Sequence, residues 1–270
     1  MVLYKDRRQG LGRNGSRDLN LQLITRENFE HRRWRQPEGF AFAAGEWLVP
    51  LGITELATAV LNYPIAFAAR GDLILPYALL GFSPGQNLLV GVDGTWRATA
   101  IPILLRNYPF RLVRIESGER ALAVDMDSGL VDDAGPELFF EAGAPSARLV
   151  EIQRILVLQE QGQMQAAKAC AALSEHGVLV PWPLTVRSAE GDRQLEGLLK
   201  IDEEALGRVP GPVLEAIRSV GGLPVAYCHL LATQQLALLA RRLEAPAQSA
   251  RPVVKEWPEF SGIISFEKLA

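Results

Sequence analysis

Four side chains within thirteen residues could recognise an organic anion: Trp96, Arg97, Arg106 and Tyr108. A guanidinium pairs with a carboxylate through two parallel N–H···O bonds, and an indole or phenol face stacks on a ring. Set around a concavity, those groups make a pocket for a small aromatic acid or a peptide. The competing assignment puts Trp96 in the core and leaves Arg106 to tie down a turn. A second group, His229 with Tyr227 and Glu46, has the residue types of general acid/base chemistry. A hydrogen-bonded core histidine answers to the same sequence.

Other chemistries lack their signatures. Three histidines and two cysteines offer few ways to hold a metal. Cys170 and His176 lie near a helix end, and Cys228 and His229 are adjacent, so their side chains diverge by about 100° around a helix axis. Neither spacing is that of a zinc site. Asp125, Asp127, Asp132 and Asp133 do not follow the spacing of a calcium loop, and the stretch reads as a solvated acidic connector. There is no GxSxG, P-loop or dinucleotide fingerprint, so no cofactor is expected. Cys170, within an alanine-rich helix, reads as inert.

The elements that must position these groups follow from pattern. Leu88 to Val92 reads as a strand, Asp93-Gly94 as a tight turn, and Ala98 to Leu105 as a short apolar helix. Upstream, Thr54 to Asn62 reads as a helix with Leu56, Val60 and Leu61 inward, ended by Tyr63-Pro64. Ile65 to Ala69 and Leu73 to Leu80 follow as buried strands. Arg111 to Ile115 and Arg120 to Val124 form a hairpin around Ser117-Gly118. Ser146 caps one long amphipathic helix from Ala147 to Leu173, with Gly162 a place for a kink. Val178 to Val186 and Gln194 to Ile201 make a second hairpin, and Asp202 caps the helix Glu203 to Arg208. A further helix starts after Pro212. Gly221 to Ala240 carries no formal charge, and its scattered amides favour a buried helix over a membrane span.

The fold class is therefore α+β: antiparallel sheets and hairpins with packed helices, and a helical C-terminal third. Three regions are expected: a polar, Arg-rich extension over residues 1–36 whose charges are solvated, a main domain over 37–245 with a sub-boundary near 125–145, and a Pro-containing tail over 246–270. The tail's apolar run Ile263-Ile264-Ser265-Phe266 is expected to dock onto the body or a neighbour. A net charge of −3 gives no basic face for nucleic acid. With 48% apolar residues the chain can bury a core without staples. Two widely separated cysteines and the lack of an apolar leader point to a reducing, cytoplasmic compartment.

Three blocks resemble the SapC-like family of bacterial proteins: Val49-Pro50-Leu51 through Glu55 with Tyr63-Pro64-Ile65 and Phe67; Asn87-Leu88 through Trp96 with Ile101-Pro102, Arg106 and Tyr108-Pro109-Phe110; and Gly197-Leu198, Ile201-Asp202-Glu203 with Tyr227-Cys228-His229-Leu230. They span most of residues 40–243. The Arg-rich lead and the longer tail depart from the family. The resemblance carries no catalytic residue. It implies association with surface-layer loci, a transport-permease label at odds with this chain's composition, and neighbourhoods encoding flavin-dependent tryptophan halogenases. The expected function is thus a non-enzymatic binding or accessory protein, with a halogenase-type enzyme as a partner by family association. The alternatives are an enzyme using His229 and Tyr227, and a surface-layer assembly component.

Overall fold

The computed structural model describes residues 3–4, 20–188 and 191–244. Two hydrophobic cores share one helix. The first core surrounds an antiparallel sheet of five strands in the order Leu179–Pro181, Leu198–Ile201, Ile65–Arg70, Leu73–Leu79, Leu48–Pro50. Ile65 to Ala68 are buried without alternation, so this sheet is covered on both faces. The helix Gly222–Ala232 packs on Ile65–Arg70 and Leu198–Ile201, and the long helix Ala147–Glu175 lies against Leu73–Leu79.

The second core lies under a hairpin, Phe110–Arg114 with Arg120–Asp125, extended by Leu21–Leu23 and Leu3–Tyr4. Its centre is aromatic: Trp34 meets Phe110 edge-on with ring centroids 4.7 Å apart, and Phe29 packs on Phe139 at 4.7 Å. Leu149, Ile152 and Leu156 complete it from the long helix.

That helix explains how the two cores coexist. At 1.5 Å per residue its 29 residues span about 43 Å. Its buried stripe runs Leu149, Ile152, Leu156, Gln159, Gln163, Ala166, Cys170, Leu173, alternating steps of three and four. The N-terminal apolar members fill the second core and the C-terminal ones the first, with two glutamines between them. The helix is continuous across Gly162. A Cβ there would come within 3.4 Å of the Gly52 Cα, so the glycine serves a close approach of backbones.

Several expectations are corrected. Leu88 to Val92 is a folded-back turn with one isolated bridge, Val90 to Trp96. The Asn87 side chain accepts the Leu89 N–H and donates to the Ala43 carbonyl, which closes the chain locally in place of a ladder. The helix expected from Ala98 shrinks to Ile103–Arg106. Leu61 is 76% exposed, because the helix Leu56–Ala59 stops short and the following turn carries it outward. The expected N-terminal extension is integrated from residue 20 on, with Leu21, Phe29 and Trp34 buried. The acidic stretch is no solvated connector throughout. Asp125 is fully buried, and the strands Val131–Asp132 and Glu137–Leu138 flank Arg33–Trp34. The tail expected over 246–270 lies outside the described residues.

The mixed helices and antiparallel sheets give an α+β fold with a helical C-terminal region. No single described helix is long and apolar enough to cross a membrane; Gly222–Ala232 and Gln235–Leu243 reach that length and composition only as a pair bent by 43°.

Candidate functional site

The four anion-binding candidates separate into two pairs. Trp96 is buried at 7% exposure, its Nε1–H donating to the Ala100 carbonyl at 2.7 Å. Arg97 sits beside it, half-buried, and its Nε has no acceptor. Its backbone carbonyl accepts Arg242 Nη2 at 2.9 Å. These two residues hold the turn at Asp93-Gly94, where Gly94 takes a positive φ of 78°. Hydrogen bonds from the Thr95 hydroxyl and N–H keep the Asp93 carboxyl below its usual range. Trp96 is thus core, and the pocket expected to include it does not form around it.

Arg106 and Tyr108 do meet a cavity of about 150 Å³. Trp34, Phe40, Asn107, Phe110, Ile152 and Arg148 complete its main walls. Tyr108 is fixed three ways. Its ring stacks on Phe42 with centroids 4.1 Å apart and planes 9° from parallel, the Arg111 guanidinium lies 5.9 Å from the ring centroid, and its hydroxyl donates to Asp125 Oδ2 at 3.0 Å. Asp125 in turn accepts the backbone N–H of Asn20 and of Asp127. Trp96 reaches the cavity only at one remove, packing behind Phe40 at 5.4 Å.

The rim of the cavity is cationic. Arg106 and Arg148 are exposed, and neither forms a hydrogen bond or ion pair with a protein group among the described residues. No carboxylate lines the cavity. Glu151, the acid nearest Arg148 in sequence, is engaged by Arg154 at 2.9 Å. Arg148 stands in the first turn of the long helix, which carries no acidic residue, so the positive end of the helix dipole adds to the field. Arg106 ends the helix Ile103–Arg106, whose start is held by a residue that the sequence offered only as the end of a family-resemblance block, with no role attached.

That residue is Glu55. Only 8% exposed, it accepts the Ile103 N–H at 2.7 Å, the Gly52 N–H at 2.9 Å, and a short hydrogen bond from Gln159 Nε2. Burial raises its pKa above the ordinary value against the lowering effect of these donors. The one sequence signal was spacing: Gly52 to Glu55 has the interval of a capping box, without the hydroxyl that usually marks it.

The acid/base group does not assemble. His229 is 1% exposed and lies between Phe67 and Trp182, with ring centroids 5.1 and 5.3 Å away. Its Nδ1 is 2.8 Å from the Ile65 carbonyl, which places the proton on that nitrogen. Burial pushes its pKa down to about 4. Tyr227, two positions away on the same helix, is 55% exposed. Glu46 is half-buried elsewhere, and no hydrogen bond joins either to His229 among the described residues.

Among the described residues no group of three or more histidine, cysteine or acidic side chains could hold a metal. Cys170 and Cys228 are both thiols, and burial pushes Cys170 up to about 12.

In comparison with known proteins, a family model described as SapC matches residues 24–239, well over half of the chain. No curated protein matches, and no solved structure matches.

Proposed function

We propose that this chain, which belongs to the SapC family, is a non-enzymatic binding protein that captures a small carboxylic acid in the cavity between Tyr108 and Arg148. The observation that carries this reading is the pair of guanidiniums, Arg106 and Arg148, exposed and making no hydrogen bond or ion pair among the described residues, at the mouth of an aromatic-walled cavity. A carboxylate there gains charge-assisted hydrogen bonds, and a ring behind it meets Trp34, Phe40 and Tyr108. The size narrows the ligand. A cavity of about 150 Å³ accommodates roughly one benzene-sized ring. A single-ring aromatic acid fits, as does the carboxylate-bearing end of a peptide; a whole indole with its side chain exceeds it.

Two solvent-facing guanidiniums and one ring support a Kd between about 10 µM and 1 mM. Titration calorimetry with benzoate, phenylacetate, tryptophan and a short peptide tests this, with benzyl alcohol as the uncharged control. Benzoate or phenylacetate is expected to bind and benzyl alcohol to bind at least tenfold more weakly. Arg106→Ala and Arg148→Ala should each weaken the acid about tenfold, and unchanged affinity in both variants would sink the proposal.

A further inference from the structure

An open groove of about 800 Å³ runs along the long helix, away from the cavity at Tyr108 and sharing no residue with it. Its volume is within the range of ligand sites. One row of the helix, Glu160, Met164 and Lys168, lines it over two turns. Each stands one position past a buried residue (Gln159, Gln163 and Ala167), so the row lies at the edge of the packed stripe. Gln161 and Gln165 form a second row beside it, both exposed. Arg120 and the end of the helix Gly211–Ser219, with Arg218, supply further walls.

The polar groups of this groove are only partly used by the protein. Gln161 and Gln165 make no side-chain hydrogen bond, and Lys168 no ion pair, among the described residues. Arg120 Nε donates to Glu160, which leaves both of its Nη groups over. Arg218 holds Glu215 through Nε and Nη2, which leaves Nη1. Among the lining residues three cations face one acid. Met164, 44% exposed, is the apolar side chain between the charged ends of its row, and an unbranched thioether adapts to what it meets.

We infer that this groove docks an extended segment of a partner protein with the pattern acid–x–apolar–x–acid. Two repeats match. Residues four apart on a helix lie about 6 Å apart along its axis. Side chains on one face of an extended chain recur every 6.7 Å or about that. Three successive side chains of such a segment therefore fall on Glu160, Met164 and Lys168 with a mismatch of only about 1–2 Å, which long side chains absorb. At one end the segment's carboxylate meets the spare Arg120 Nη groups, since Glu160 is already paired. In the middle its apolar side chain covers Met164. At the other end its second carboxylate meets Lys168. Its backbone edge runs along Gln161 and Gln165, whose amides each carry a donor and an acceptor for a peptide group. The inference does not depend on what the cavity at Tyr108 binds.

Titration calorimetry on the full-length protein decides it, with the peptide acetyl-Glu-Ser-Leu-Ser-Glu-amide as probe. A peptide of the same composition with its acids adjacent, acetyl-Glu-Glu-Leu-Ser-Ser-amide, is the control for register. The first is expected to bind with a Kd below about 1 mM and the control at least fivefold more weakly. Lys168→Glu should weaken the first peptide about tenfold. The double variant Gln161→Ala/Gln165→Ala should weaken it at least threefold through the backbone contacts alone. All three positions are exposed, so these replacements leave the fold intact. Absence of binding, equal affinity for the two peptides, or full affinity in Lys168→Glu would overturn the inference. Displacement of the peptide by excess benzoate would place it in the cavity at Tyr108, overturning this inference and leaving the proposed function standing. Binding of the oligonucleotide hexathymidylate that Lys168→Glu abolishes would assign the groove to nucleic acid, and would also overturn it.

Discussion

At the scale of single residues, the buried polar groups carry more information than the motif-like ones. Glu55 satisfies backbone donors at two chain segments, Gly52 and Ile103, and takes a third bond from Gln159. Gln159 Oε1 is left buried with no partner. Removing the carboxylate strands these donors, and each buried unsatisfied group costs about 1–3 kcal/mol. Glu55→Ala is therefore expected to lower stability by about 2–4 kcal/mol in urea denaturation. Glu55→Gln should lose less than half of that, because its new amide N–H can use the waiting Gln159 oxygen. Equal losses in the two variants would show that the carboxylate's role is not hydrogen bonding. None of this stood out in the sequence, where Glu55 is one acid interrupting an apolar run. Trp96 and His229 each admitted a functional and a core reading in the sequence, and the structure decides for the core. Their residue types suggest chemistry, whereas backbone acceptors at Ala100 and Ile65 make them satisfied core residues.

At the scale of elements, legibility followed how far each element is determined by its own residues. The hairpin Phe110 to Asp125 and the long helix were readable, because alternation and three-four spacing are local and Ser146 caps the helix with its own side chain. The strand expected at Leu88 to Val92 failed because an apolar run fits a buried turn as well as a strand, and the Asn87 side chain decides between them. The four-residue helix that presents Arg106 was legible only as the end of a longer helix expected over Ala98 to Leu105. It is too short to stand on propensity, and its start is held by Glu55 from another segment. Gly52 is the tightest point of that arrangement. A Cβ there would fall 2.7 Å from Gln159 Oε1 and 3.3 Å from the Gln159 backbone oxygen. The amide could swing aside only by giving up its bond to Glu55. Gly52→Ala should thus cost about 1–3 kcal/mol, measured by chemical denaturation, and should also weaken benzoate binding by loosening Arg106. A stable Gly52→Ala protein with full affinity would separate the cavity from the Glu55 cap.

At the scale of the whole molecule, one helix passing through two cores makes them a single cooperative unit. Leu156 and Cys170 lie on the same stripe, one in each core, so neither core can open without fraying the other's helix. A titration in the first core must then appear in the unfolding of both. His229 supplies that titration. Its pKa is near 4 when folded against an ordinary value of 6.5, so the unfolded chain binds the proton more readily between those values. The contribution of the neutral, buried imidazole is complete above pH 6.5, declines as pH falls, and levels off below about 4. The shift corresponds to a loss on the order of 3 kcal/mol. His229→Gln keeps a donor for the Ile65 carbonyl and cannot titrate in this range. The wild-type urea midpoint should therefore fall between pH 6.5 and 4 by more than that of His229→Gln. Hydrogen exchange at Val124, in the second core, should report the same difference as exchange at Phe67, beside the histidine. If only Phe67 responds, the two cores unfold separately and the long helix does not couple them. If neither responds to the substitution, His229 is protonated within the fold, and its bond to Ile65 is made by an imidazolium.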